Sequence, residues 1–288
     1  MIPVHWSVLV AISTIFGALA LVVKKRGLAH EHSLEYLGVF KFFEFVIVIP
    51  LIPFINLNHS LVEYSWMYIL SIFITAGLFY QAKGFKHLQF SKALPLFHLK
   101  TVVTLFAAMF FLGEILSLKD FIGVFVVLTA LYFVEAEQSF NSLIKKFFSS
   151  NGFRSFIIAC LILGVTIVFE KRIVLNVGVL SYLFIMYAFS VLNTLIALTI
   201  FYNGYNDILH GIRKEGTIIF EASLYSTLSN IFFLASLSGA FVVVAEALRK
   251  SSSILAMIFG RTYFHEKHFE KRLFWTIVAV VGAVITVL

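Results

Sequence analysis

Lys41, Glu44, Lys100, Glu221, Glu246, Arg249 and Lys250 all stand inside long apolar runs. A charge at hydrocarbon depth costs at least ~2.5–3.5 kcal/mol on insertion scales, so such a group pairs, faces a cavity or performs work. Glu44 lies one turn from Lys41, and Glu246 lies one turn before Arg249 and Lys250, spacings at which helical side chains touch. Internal neutralisation is therefore one reading, and Lys41 is shallow enough to snorkel. Lys100 has no acid within a turn, and one glutamate cannot fully satisfy both Arg249 and Lys250. Lys100, Arg249 and Lys250 are thus the candidates to hold an anionic group, because a guanidinium fork beside an ammonium suits carboxylate or phosphate.

Tyr80, Gln81, Asn193, Tyr225 and Asn230 offer directional hydrogen bonds to a solute, although single polar residues in membrane helices more often hold helices together. If transport is proton-coupled, Glu44, Glu221 and Glu246 are the candidate titrating carboxylates, since burial moves a carboxyl toward the working pH range. Enzymatic chemistry finds no support. The chain has no G-x-S-x-G, P-loop or G-x-G-x-x-G, and His265-Glu266-Lys267-His268 lacks the H-E-x-x-H metal spacing. No catalytic residue, metal or cofactor is expected. The single cysteine, Cys160, precludes an intrachain disulfide.

These groups need a bilayer to sit in, and the composition supplies it. Of 288 residues, 60% are hydrophobic and 13% charged, against about 25% charged in soluble domains. The apolar runs approach the roughly 20 residues needed to cross a bilayer, and helices alone satisfy their own backbone at such lengths. Spans are expected at 4–23, 35–55, 64–83, 89–111, 117–136, 153–171, 178–202, 216–238, 240–259 and 271–288. Lys24, Lys25 and Arg26 follow the first run, the arrangement of a retained span rather than a signal peptide. The formal charge of +7 falls mostly in short loops, which argues for topology signals and against nucleic-acid binding.

The fold class expected is an all-α integral membrane protein of about ten transmembrane helices in two inverted five-helix repeats. Residues 1–137 and 153–288 form the halves, joined by a polar linker at 138–152. Leu112-Gly113-Glu114 before Lys119-Asp120 has a partner in Tyr263-Phe264-His265-Glu266 before Lys271-Arg272. Five spans per half turn the second half over in the membrane, the inverted repeat of many secondary transporters. Ala279 with Ala283, and Gly282 with Thr286, are small residues at helical spacing, suited to packing within the fold or to a homodimer face.

Leu112-Gly113-Glu114 with Ile122-Gly123, and Leu248-Arg249-Lys250-Ser251-Ser252-Ser253 running to Glu266, resemble the EamA-type branch of the drug/metabolite transporter superfamily. The resemblance implies two inverted halves, a central cavity lined mainly by the first four helices of each, and the fifth helix of each at the periphery. His265 departs from the usual glycine, Phe16-Gly17 stands for a common Trp-Gly, and Pro95 is displaced from the usual mid-helix position. A related branch, the plastid phosphate and sugar-phosphate translocators, carries a lysine on the fourth helix and a Lys-Arg pair on the ninth. Here these positions read Lys100 and Arg249-Lys250.

The function expected is secondary transport of a small organic solute, with a channel or lipid-handling protein as the alternative. The partners expected are a small-molecule substrate and membrane lipid, and the location the plasma membrane. The loops at 24–26, 83–92, 145–154, 213–214 and 261–272 carry 15 Lys and Arg, whereas the alternate loops carry Lys119, Lys171 and Arg172. The positive-inside rule then places the first set in the cytoplasm and both termini outside. The resemblance implies the opposite orientation.

Overall fold

A computed structural model describes residues 5–29, 31–113, 118–135, 150–264 and 269–285. Helix is the regular secondary structure throughout these residues. Glu114, Glu266, the histidines at 265 and 268, and most of the expected linker lie outside them.

In chain order the helices are α1 (Trp6–Gly27), α2 (Ser33–Val48, continued by a 3-10 turn at Ile49–Phe54), α3 (Leu61–His87), α4 (Phe90–Leu96) and α5 (His98–Leu112). There follow α6 (Leu118–Glu135), α7 (Asn151–Val177), α8 (Val179–Phe201), α9 (Tyr205–Ser236), α10 (Val242–Arg249), α11 (Ser252–Phe264) and α12 (Phe269–Ile285). Among the described residues, seven segments are long and apolar enough to cross a membrane: the first three helices, Phe90–Leu112, and α7 to α9. Of the other expected spans, α6 and α12 end beside undescribed residues, and Val242–Phe264 is broken.

Several expected boundaries move, and the shifts bear on the chemistry. Hydropathy ends the first span at residue 23 and the sixth at 171, yet α1 runs on to Gly27 and α7 to Val177. Lys24 is thereby helical, just beyond its expected span, whereas Glu170 falls inside the span expected at 153–171. The expected start at 216 corresponds to a kink at Glu215 (φ −129°, ψ 16°) within α9. Its leading segment is tied to α2 by His210 Nδ1 at 2.7 Å from Glu35 Oε1, and to the link before α2 by Lys214 Nζ at 3.0 Å from Glu31 Oε1.

The spans expected whole at 89–111 and 240–259 are each broken. Pro95 has no N–H and cannot continue the helical ladder, so the chain tightens, with Phe97 N–H donating to Leu94 O and Lys100 N–H to Phe97 O. The thiol of Cys160 lies 3.5 Å from the Leu96 carbonyl left by the break. No proline interrupts the second segment. There Ser251 N–H donates to Leu248 O, and the Ser253 hydroxyl donates to Lys250 O at 2.7 Å, the competition by which serines open a helix. His98 Nε2 and Ser253 Oγ, 3.1 Å apart, join the two breaks. Irregular backbone at this depth is tolerated where it lines a cavity.

α1 packs on α9, α3 on α7, α2 on α8 and α9, α5 on α7, and α6 on α12. Small residues permit the closest of these approaches. A Cβ added to Gly282 would stand 2.9 Å from Val127 N and 3.0 Å from Gly123 O, so this face of α12 is packed against α6 backbone. Gly282→Val should therefore lower stability by about 1–3 kcal/mol through overpacking. Gly216→Ala, whose Cβ would meet nothing nearer than 3.6 Å, should be near neutral. Thermal unfolding of the two purified variants checks this, and equal midpoints would refute the close approach.

Candidate functional site

A cavity of about 200 Å³ lies at the centre of the bundle, lined from α1, α2, α3, α5, α7, α8, α9 and α10 and from the broken segments at Phe97 and Lys250–Ser253. Among the described residues, neither α6 nor α12 contributes to the lining. Of the residues singled out by sequence, Lys100, Arg249, Lys250, Gln81, Asn230, Glu44 and Glu246 line it, whereas Tyr80 and Glu221 do not. The helical twist explains the exclusions: Tyr80 sits about 100° round α3 from Gln81, and Glu221 is five residues from Ser226 on α9. Asn193 donates to Ser71 Oγ at 2.9 Å, joining α8 to α3, and the Tyr225 ring stacks on Phe16, so both serve helix contacts.

The charges in the cavity fall into separate groups. Glu246 Oε1 lies 3.0 Å from Lys100 Nζ and 2.9 Å from Lys250 Nζ, with the Glu246 side chain 1% exposed. Lys100 therefore does have an acid, contributed by another helix, where the chain near it offers none. Lys250 also lies over the Phe97 ring at 5.0 Å. Arg249, adjacent in sequence, turns elsewhere. Its Nη2 donates to Ser229 Oγ at 3.1 Å and Asn230 Oδ1 at 2.8 Å, and its guanidinium lies 4.3 Å from the Phe233 ring centre. Asn230 Nδ2 in turn donates to Tyr187 Oη at 3.1 Å.

Lys41 does not snorkel. It is 4% exposed and its Nζ lies 2.6 Å from Glu44 Oε2, the neutralised pair that the spacing allowed. Two further groups in the cavity were not singled out from sequence: Lys24 stands in the expected 24–26 loop, and Glu170 near the end of the span expected at 153–171. Lys24 reaches Ser226 Oγ at 3.4 Å with its ammonium 4.3 Å from the Phe40 ring centre. Glu170 accepts from Tyr182 Oη at 3.0 Å. The signal for both was weak, because Lys24 opens a Lys-Lys-Arg run that resembles a loop and Glu170 precedes Lys171-Arg172 at the very end of its expected span. Lys25 and Lys171, their neighbours, point away, donating to the carbonyls of Phe85 and Leu88 and of Ala240, respectively.

Among the described lining residues, five cations (Lys24, Lys41, Lys100, Arg249, Lys250) thus face three carboxylates (Glu44, Glu170, Glu246). Two of the cations, Lys24 and Arg249, have no ion-pair partner among the described residues. Their hydrogen-bond partners Ser226, Ser229 and Asn230 lie three and four residues apart, on one face of α9.

A solved crystal structure, described only as that of a protein, shares this fold with a TM-score of 0.61 and 13% identity, over 95% of this chain and 97% of its own. No curated protein matches significantly. The EamA-like transporter family matches residues 5–136, which include Lys24, Lys41, Glu44, Gln81 and Lys100 of the cavity. This match to a transporter family, over just under half of the chain, and the long apolar helices together support an integral membrane protein.

Proposed function

We propose that the protein is a secondary transporter that carries a small organic anion across the plasma membrane by alternating access. The observation that carries this reading is the excess of cations over carboxylates among the described residues of the cavity, with Arg249 lacking an ion-pair partner among them beside the Lys100–Glu246–Lys250 cluster. Buried cations in excess are stabilised by an arriving anion, so loaded and empty states differ in free energy, as a conformational change driven by solute requires. Ten spans in two inverted five-helix halves would supply the moving parts. In support, exchanging the halves relates α1 on α9 to α7 on α3, while α2 on α8 and α6 on α12 map onto themselves.

The test is counterflow into liposomes with carboxylate, phosphate and sulfonate solutes. Uptake should saturate and be accelerated by the same anion preloaded inside, whereas a channel gives linear uptake. Lys100→Gln or Lys250→Gln leaves the other lysine on Glu246 and lowers the cavity charge by one, so each should weaken anion binding about 10–100-fold, the range of a charge-assisted contact. Unchanged affinity for every anion in both variants overturns the assignment.

A further inference from the structure

We propose that Glu170 is the proton-binding group of the cavity, coupling entry of the anion to entry of one proton. The inference rests on the anion-binding reading above and goes beyond it, because nothing in that reading requires a proton. Each carboxylate expected from sequence to titrate is unsuited to the role. Glu44 is held by Lys41 at 2.6 Å, Glu246 is held by two lysines, and Glu221 does not line the cavity. Glu170 lines it and has no ion-pair partner among the described residues.

Its one hydrogen bond comes from the Tyr182 phenol at 3.0 Å. A phenol O–H donates equally well to a carboxylate and to the carbonyl oxygen of the neutral acid, so this contact survives a change of protonation. A carboxylate locked to lysine would lose its partner on protonation, whereas Glu170 would not.

The surrounding charges set the direction of coupling. Lys100 on α5, and Glu246 and Arg249 on α10, act on Glu170 electrostatically, and α8 contributes Tyr182. From α3 the lining residues are Ile74, Leu78 and Gln81, none ionisable. On its own helix, Lys171 turns to the Ala240 carbonyl and Arg172 is exposed. An anion arriving at Arg249 therefore shares a low-dielectric space with Glu170. Two negative charges there disfavour each other, so the anion raises the proton affinity of Glu170, and by reciprocity the bound proton raises the affinity for the anion. The proton enters as H+ from water, rests on a Glu170 oxygen, and leaves by the same bond after the anion departs. With a monoanion the cavity charge is the same loaded and empty.

The sign follows from the linkage. Anion affinity is highest with Glu170 protonated and falls as pH rises through its pKa, by at most about tenfold per pH unit for one coupled proton. The probes are sulfate, methanesulfonate and oxalate, whose charges stay constant between about pH 6 and 8, where the titration is made. Wild-type protein in proteoliposomes should bind the preferred probe more tightly at the acid end and take up protons on binding, read with a pH dye. Glu170→Gln should bind at the tight limit with no pH slope and no proton uptake. Glu170→Asp, which keeps a carboxyl, should retain a slope and verifies the fold of the series. A pH slope and proton uptake that persist in Glu170→Gln, or a wild type that binds with neither, overturn the proton role and leave the anion site standing. Failure of every probe to bind wild type across the whole range overturns the anion reading and this inference with it.

Discussion

Glu246→Gln is expected to be the most destabilising single change in the cavity. One carboxylate oxygen holds two ammonium groups, Lys100 at 3.0 Å and Lys250 at 2.9 Å, and the carboxylate itself is buried. The amide is isosteric but neutral, so both lysines would keep their positive charge at close quarters with nothing between them. Removing one partner from a buried ionic cluster typically costs about 3–5 kcal/mol, most of it the penalty of charges left uncompensated. The loss should appear as a much lower thermal midpoint and a reduced monodisperse fraction in size-exclusion chromatography. Two rescues separate this cause from general damage. Lys100→Met added to Glu246→Gln should recover part of the loss by removing one of the repelling charges. A bound anion should also restore stability, in proportion to the logarithm of its concentration over its Kd. A Glu246→Gln protein as stable as wild type would mean that the lysines do not depend on this carboxylate.

Arg249→Lys should produce the opposite signature, a large loss of solute affinity with little loss of stability. The guanidinium is positioned by Ser229, Asn230 and the Phe233 ring, using one terminal nitrogen for both hydrogen bonds. Its Nε and Nη1 N–H groups, held in the same fixed plane, make no hydrogen bond among the described residues and can each donate to an oxygen of a carboxylate or phosphate. Lysine keeps the charge but offers a point donor that cannot hold Ser229, Asn230 and an anion together in the guanidinium plane. Affinity should fall about 10–100-fold, corresponding to one or two charge-assisted hydrogen bonds. Isothermal titration with the best anion, alongside thermal unfolding, checks both halves of the statement. If Arg249→Lys binds as wild type but unfolds early, Arg249 is a strut between α10 and α9 and the solute is held elsewhere.

These outcomes depend on partnerships that differ in how far the chain itself discloses them. The apolar runs, the sparse charges and the halves' shared motifs are local properties, and they sufficed to expect a helical membrane protein of this family. They also sufficed to single out Lys100, Arg249 and Lys250, because a charge inside an apolar run is conspicuous whatever surrounds it. The Lys41–Glu44 and Glu246–Lys250 pairs were legible for the same reason, since helical geometry brings residues three or four apart together. Tertiary structure alone decided that Glu246 also serves Lys100, that Arg249 leaves Glu246 for Ser229 and Asn230 on α9, and that Gln81 faces the cavity while its neighbour Tyr80 does not. It also decided Lys24 and Glu170. Hydropathy ends the first span before Lys24, but a helix ends where its backbone hydrogen bonds end, and α1 carries Lys24 past the apolar boundary, whereas Glu170 lies inside its expected span and only the packing of its helix turns it to the cavity. The ion-pair partners of a buried charge are set by which helices pack together, and that depends on the whole chain's burial rather than on any window of its sequence.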